Sequence, residues 1–341
     1  MLIYTRSELE ERLHVDEREK IFLPNSIFQE LKNAMTGNEK NRSSKHIPFA
    51  YAYVFLISYL WRYAKFGLQN GDYDYTEDEL KRLLTVSGSN KNMNYITKKN
   101  GVLEQIGYIR KVSDYPIVPH FSNKVGNSYE AFNNLEFTML SDLDGYMKES
   151  IGKDNLKNRK VNFPVRGYYG CKEHEEENYT DGYLFEIHEI NNETAKGTHE
   201  VNIETFLFCM SNDGIGLEGF YIYQYLKYQS FNGDRFWNCA QKDFESNFGI
   251  DTDMVKSRLK TLEEHRMIVN THEMMILGLP VDKNMPACAY KVNNPISFSN
   301  EKVSIPKRVV MSYAKAVAIY GESIFLNNIQ DKFDLSMDLP F

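Results

Sequence analysis

The sequence predicts an α+β chain: two helix-rich units joined by a strand- and turn-rich connector, followed by a short flexible C-terminal tail. Three observations lead there. One order of elements (helix, helix, turn, helix, strand) occurs near the start and recurs near the end; the stretch between is dense in turn formers; and the last residues are acidic and apolar in turn. The boundaries that follow are an N-terminal arm over 1–45, a first unit over 46–120, a connector or small α+β segment over 121–215, a second unit with a C-terminal helix over 216–330, and the tail over 331–341.

Composition narrows the function classes. A chain of 341 residues, 42% hydrophobic, can bury more than one core. Its 40 basic against 47 acidic residues leave a net charge of −7, which excludes coating nucleic acid or membrane by bulk charge, so any such contact is local. The four cysteines, Cys171, Cys209, Cys239 and Cys288, have no paired spacing and fit a reducing compartment. No signal peptide and no spanning helix are visible, so a cytoplasmic protein is predicted.

Taken in order, residues 7–20 and 22–35 carry helical spacing and form the arm. "PFAYAYVFLISYLWRYAKF", from Pro48 to Phe66, is apolar nearly all round; Arg62, Lys65 and its tyrosines make it a buried central helix rather than a membrane span. In "TEDELKRLL", Thr76 caps the amide of Glu79 and Glu79 reaches back, a capping box ahead of Leu80, Leu83 and Leu84. "TVSGSN" is a turn, and "KNMNYITKKNGVLEQIGYIRKV" a helix ending near Gly107 that gives way to a strand. The middle holds two strand-like pieces, "DGYLFEIHEI" and "HEVNIETFLF".

The second unit opens with the helix "GLEGFYIYQYLKYQSF" and a shorter one in "NCAQKDFESNFG". Asp251 or Thr252 then caps "MVKSRLKTLEEHRMIVNTHE", a helix running into a strand. Leu103-Glu104 and Leu262-Glu263 close the equivalent helices, and Tyr108-Ile109 and Ile268-Val269 open the equivalent strands, as in an internal duplication. "MMILGLPVDKNMPACAYKVNNP" predicts two strands around a loop, and "PKRVVMSYAKAVAIYGESIFLNNIQ" a final helix.

This order resembles the winged helix, a helix-turn-helix variant. The resemblance implies that the third helix of each unit enters a major groove of double-stranded DNA while a β-hairpin wing touches the backbone. In the first unit that helix offers Lys91, Asn92, Asn94, Lys98, Lys99 and Asn100, with Met93, Ile96, Leu103 and Ile106 facing inward. In the second it offers Lys256, Ser257, Arg258, Lys260 and Arg266 over an inner face of Val255, Leu259 and Leu262. Lys111, Lys307 and Arg308 are placed on phosphates. The bland alternative is that these are solvated faces of ordinary helices.

Catalytic signatures are sparse. There is no phosphate-cradling G-x-x-x-x-G-K-[ST], no H-E-x-x-H and no C-x-x-C, so no catalytic residue, metal or cofactor is predicted. "CKEH", with Cys171 and His174, is half a metal site at best. One enzymatic alternative is primase-like: Asp142 and Asp144 in "FTMLSDLDG" would share a face if they lay on a strand.

The tail "DLSMDLPF" resembles the C-terminal tip of bacterial single-stranded-DNA-binding proteins. The resemblance implies that Phe341 fills a partner's pocket, Pro340 presets the turn, Leu339 occupies an apolar slot, and Asp334 and Asp338 steer the encounter. The whole then resembles a plasmid or phage replication initiator with tandem winged helices that recruits a host replication protein through this tip. Its Asn, Lys, Ile and Tyr usage is similar to that of AT-rich bacterial and mobile-element genomes, while its negative net charge departs from the basic character of such initiators. Two other classes fit the same residues: a tandem winged-helix transcriptional regulator, and a non-DNA adaptor or inhibitor competing for partners of the host single-strand-binding protein. Assembly as a homodimer is compatible with the sequence.

Overall fold

The computed structural model describes residues 3–16, 19–36, 45–66, 75–121, 135–150, 159–169, 183–185, 197–281, 283–285 and 287–327. These residues form an α+β structure in which helices carry the core and the sheets are small, none with more than three strands. Its centre is the helix His46–Arg62, buried along its whole length as its all-round apolar sequence requires. The helix Gly216–Gln229, which opens the second unit, is buried from Leu217 to Leu226.

These two helices meet through aromatic rings. Tyr51 lies 5.9 Å from Phe220 and 5.6 Å from Tyr221, and Phe55 lies 5.6 Å from Phe220 and 5.1 Å from Phe206. Each such pair adds about 0.5–1.5 kcal/mol beyond the burial of its area, so the units stabilise one another. Their buried side chains belong to one continuous core.

The N-terminal residues enter that core as well. The helix Arg6–Leu13 ends at His14 in the left-handed region. Helical spacing predicts a helix over 22–35, but Lys20–Pro24 is a strand paired antiparallel with Thr198–Asn202, and the helix proper is Ile27–Thr36. The reason is that Ile21, Phe22 and Leu23 are all buried. A strand covered on both faces loses its alternation and reads as a helix.

In the first unit, Thr76 caps the helix Glu77–Leu83 by accepting the Glu79 amide at 3.2 Å. The expected reciprocal half is absent, because the Glu79 carboxylate accepts instead from Tyr4 Oη at 3.0 Å and Arg12 Nη1 at 2.8 Å. The third helix is broken into Asn94–Thr97 and Val102–Gln105. Asn100 has φ 58° at the break. A Cβ on the next residue, Gly101, would stand 2.7 Å from the carbonyls of Lys98 and Tyr95. The strand Ile109–Val112 then pairs antiparallel with Val161–Pro164, and Pro116–Phe121 pairs with Leu135–Met139. Residues of the predicted connector thus supply the partner strand of each of the first unit's two small sheets.

"HEVNIETFLF" divides into the strand Thr198–Asn202 and the helix Ile203–Ser211, with Asn202 Oδ1 accepting the Glu204 amide at 2.7 Å. Of "DGYLFEIHEI", only the 3-10 turn Tyr183–Phe185 lies within the described residues. The second unit runs helix Gly216–Gln229, strand Trp237–Asn238, helix Phe244–Phe248, helix Thr252–Glu264, strand Ile268–Asn270 and strand Ala289–Val292. Ala289–Val292 is central, hydrogen-bonded to Trp237–Asn238 on one side and Ile268–Asn270 on the other.

The expected hairpin in "MMILGLPVDKNMPACAYKVNNP" is replaced: Met275–Leu277 pairs in parallel with Val310–Ser312 instead of across the loop. The final helix is shorter than its periodicity predicts, Tyr313–Tyr320, and begins at the Ser312 cap. Pro306 and the Val310–Ser312 strand occupy the residues before it. No helix among the described residues is long and apolar enough to cross a membrane.

Candidate nucleic-acid interface

The helix Thr252–Glu264 is set by its cap and its inner face. Asp251 accepts the amides of Asp253 and Met254 at 3.0 and 3.1 Å, and Val255, Leu259 and Leu262 are buried. Lys256, Ser257 and Lys260 therefore face solvent. Both lysines have a carboxylate nearby on their own helix, Lys256 with Asp253 at 3.4 Å and Lys260 with Glu264 at 3.7 Å. Arg266 follows the helix in the left-handed region at φ 55°, exposed beside an open cleft of about 820 Å³ that Val269, Asn270 and residues 293–306 help to line.

Arg258 does not point outward. Its Nη1 donates to the Gly214 carbonyl at 2.6 Å, and Nη2 lies 3.7 Å from the buried Glu218 carboxylate, whose other oxygen is 3.7 Å from Lys45 Nζ. Arg258 thus ties this helix to the start of Gly216–Gln229, and through Glu218 to Lys45 at the end of the N-terminal arm. Lys307 is exposed, while Arg308 Nε donates to the Glu273 carbonyl at 2.5 Å.

The first unit is different. Lys91 and Asn92 are exposed in the turn before the first short helix, Lys98 and Lys99 in the break between the two, and Lys111 on the strand Ile109–Val112. The four lysines have no ion-pair partner among the described residues. Asn94 is held inward, because buried Lys81 donates its Nζ to Asn94 Oδ1 at 2.6 Å. Arg110 joins the exposed set and was missed in the sequence because only one residue of an alternating strand is expected to face solvent. This strand belongs to a two-stranded sheet, and the Arg110 guanidinium lies 5.6 Å above the Phe163 ring while remaining exposed.

Tyr95, on the same short helix, is partly exposed and its hydroxyl lies 2.9 Å from His46 Nδ1. Burial lowers the pKa of His46, so this ring is neutral at pH 7 and adds no charge to the face. The result is two adjacent pairs of exposed cations, Lys98–Lys99 and Arg110–Lys111, and exposed Lys91, without ion-pair partners among the described residues, on a chain of net negative charge. Such a face can bind phosphates without attracting polyanions over the rest of the surface.

The remaining candidates separate. Asp142 lies in a 3-10 turn, not on a strand, and accepts the Met139 amide at 2.8 Å; Asp144 follows the turn, so the shared-face geometry assumed for a metal pair is not formed. No cluster of metal-ligating side chains occurs among the described residues. Cys171, His174 and the tail residues Asp334, Asp338, Leu339, Pro340 and Phe341 lie outside the described residues. Comparison with protein-family models, with curated proteins and with solved structures returned no match.

Proposed function

We propose that the protein binds double-stranded DNA site-specifically through two winged-helix units and serves as a replication initiator of a plasmid or phage. The second unit's three helices, Gly216–Gln229, Phe244–Phe248 and Thr252–Glu264, packed with the three-stranded sheet of Trp237–Asn238, Ala289–Val292 and Ile268–Asn270, support this reading, with the strands Met275–Leu277 and Lys283–Asn284 inserted before Ala289. The first unit has the helices and the following strand but no early strand, and its third helix is broken in two. The single observation that carries DNA contact is the set of exposed, unpaired lysines, Lys91, Lys98, Lys99 and Lys111, on the first unit's third-helix region and following strand. The first unit supplies most of the electrostatic attraction. The second, whose cations are paired internally, contributes through Lys256, Lys260 and its neighbours with less gain in charge. In this reading, the tail offers Phe341 to a host replication protein.

Hydroxyl-radical footprinting of the full chain on DNA flanking its own gene tests this. Two protected segments about one helical turn apart are expected. Uniform weak protection along the fragment would reduce the protein to non-specific binding, and no protection would remove the DNA reading.

A further inference from the structure

A second surface lies away from these lysines, where the helix Gly216–Gln229 turns into the strand Trp237–Asn238. Three consecutive residues of this turn, Phe231, Asn232 and Gly233, have positive φ, at 50°, 58° and 90°. The turn is tightly bonded: the Gly233 and Arg235 amides both donate to the Ser230 carbonyl at 3.1 Å, and Asn232 to the Lys227 carbonyl at 2.8 Å. Gly233 must be glycine, since a Cβ there would stand 2.6 Å from the Val292 carbonyl oxygen. Phenylalanine has no such reason to occupy a left-handed position, and bulky residues rarely do.

Yet Phe231 is held there with 55% of its surface exposed, and Phe236 is 46% exposed five residues on. Each carries a cation. The Arg235 guanidinium lies 3.5 Å from the Phe231 ring centroid, and Lys291 Nζ, on the adjacent central strand, lies 5.9 Å from that of Phe236. The next residue, Trp237, turns the other way and packs 5.7 Å from Tyr225 and 6.1 Å from Phe248. The core therefore has its own aromatic from this segment, while the other two rings leave about half of their surface to solvent. Strained backbone of this kind persists where surrounding structure enforces it, and it clusters at ligand clamps.

We infer that Phe231, Arg235, Phe236 and Lys291 form a stacking platform for single-stranded nucleic acid, with single-stranded DNA as its ligand. Flat bases stack on exposed rings irrespective of sequence, and the two cations meet the phosphates between successive bases. Asp234, exposed on the same turn, is the one carboxylate among residues 230–237, so the patch retains positive charge. The platform stands independently of the duplex reading, because it shares none of the residues assigned to duplex contact.

The test is fluorescence polarisation of the full chain with labelled (dT)20 and, separately, (rU)20, alongside a duplex probe and sedimentation velocity. Phe231→Ala and Phe236→Ala should each weaken (dT)20 binding roughly five- to hundredfold. Phe236→Tyr should restore it. Lys291→Gln should lower the salt slope for (dT)20 by about 0.7. Duplex affinity should not change in any of these variants. Tighter binding of (dT)20 than of (rU)20 supports DNA as the ligand, and the reverse assigns the same platform to RNA. Unchanged single-strand affinity in the Phe231→Ala, Phe236→Ala double variant overturns the proposal. So does concentration-dependent self-association of the native chain that this double variant abolishes, because the rings would then be the contact between two copies.

Discussion

Replacing Lys98 and Lys99 together by alanine should flatten the salt dependence of duplex binding. Both lie at the break between Asn94–Thr97 and Val102–Gln105, are exposed, and have no ion-pair partner among the described residues. Each phosphate contact releases counterions worth about 0.9 in the slope of log K against log salt, so losing two contacts flattens the slope by about 1.8. From 50 to 200 mM salt the logarithm of concentration rises by about 0.6, so the affinity gap between native and variant chains should narrow by about 10^1.1, or roughly twelvefold. The assay is an equilibrium polarisation titration at four salt concentrations, with thermal melts confirming that both chains are folded. Lys256→Ala with Lys260→Ala should flatten the slope less, because those lysines already sit 3.4 and 3.7 Å from Asp253 and Glu264. Superimposable slopes for native and Lys98/Lys99 chains would refute the placement of the duplex on this face.

The other predictions concern the frame. Arg258→Ala leaves the buried Glu218 carboxylate with only Lys45 at 3.7 Å, and should cost about 3 kcal/mol in urea unfolding while leaving the duplex salt slope unchanged. Gly101→Ala drives a Cβ against carbonyls 2.7 Å away and should destabilise the chain by about 1–3 kcal/mol, with a parallel loss of duplex affinity as Lys98 and Lys99 shift.

His199 is buried between Tyr51 Oη at 2.7 Å and Asn25 Oδ1 at 3.0 Å, and burial, assisted by nearby Lys227, lowers its pKa to about 3. The unfolded chain binds this proton first, so the contribution is complete above the ordinary histidine value of about 6.5 and is lost as pH falls toward 3. Between pH 7 and pH 5 the loss from this group is about 2 kcal/mol, and a His199→Gln chain should lack that share of the pH dependence in urea melts. Deleting residues 334–341 should leave duplex affinity unchanged while abolishing capture of host replication proteins that recognise the single-strand-binding tip.

Legibility followed what each residue's neighbours could hide. The helix His46–Arg62 was plain because an apolar run of that length whose one proline, Pro48, falls in the first turn has one stable form in water. The Thr76 cap was plain and the later cap was narrowed to Asp251 or Thr252, because capping is local chemistry; the structure settles it as Asp251, yet the Glu79 half of the first box was not legible. Its carboxylate is claimed by Tyr4 and Arg12, residues far back in the chain. Strand Lys20–Pro24 was misread because both of its faces are buried, and the parallel pairing of Met275–Leu277 with Val310–Ser312 because partner choice is not written in either segment.

At the candidate interface the residue types were legible and their directions were only partly so. Lys91, Lys98, Lys99 and Lys111 are exposed as expected, but Lys91, Lys98 and Lys99 lie in the turn before and the break between two short helices rather than on one helix face. Arg258 sits on the same kind of position, but Gly214 and Glu218 lie within its reach and turn it inward. The Phe231 turn gave almost no signal, since a left-handed phenylalanine is set by the closure of its turn and not by its own preference.

The measurement that bears most directly on the account is the affinity of the full chain for a duplex from its own locus against a scrambled duplex of equal length and composition, at physiological salt. Binding at least about a thousandfold tighter to the locus is expected, the lower range for specific recognition. Equal affinities for the two duplexes, or none for either, would contradict it.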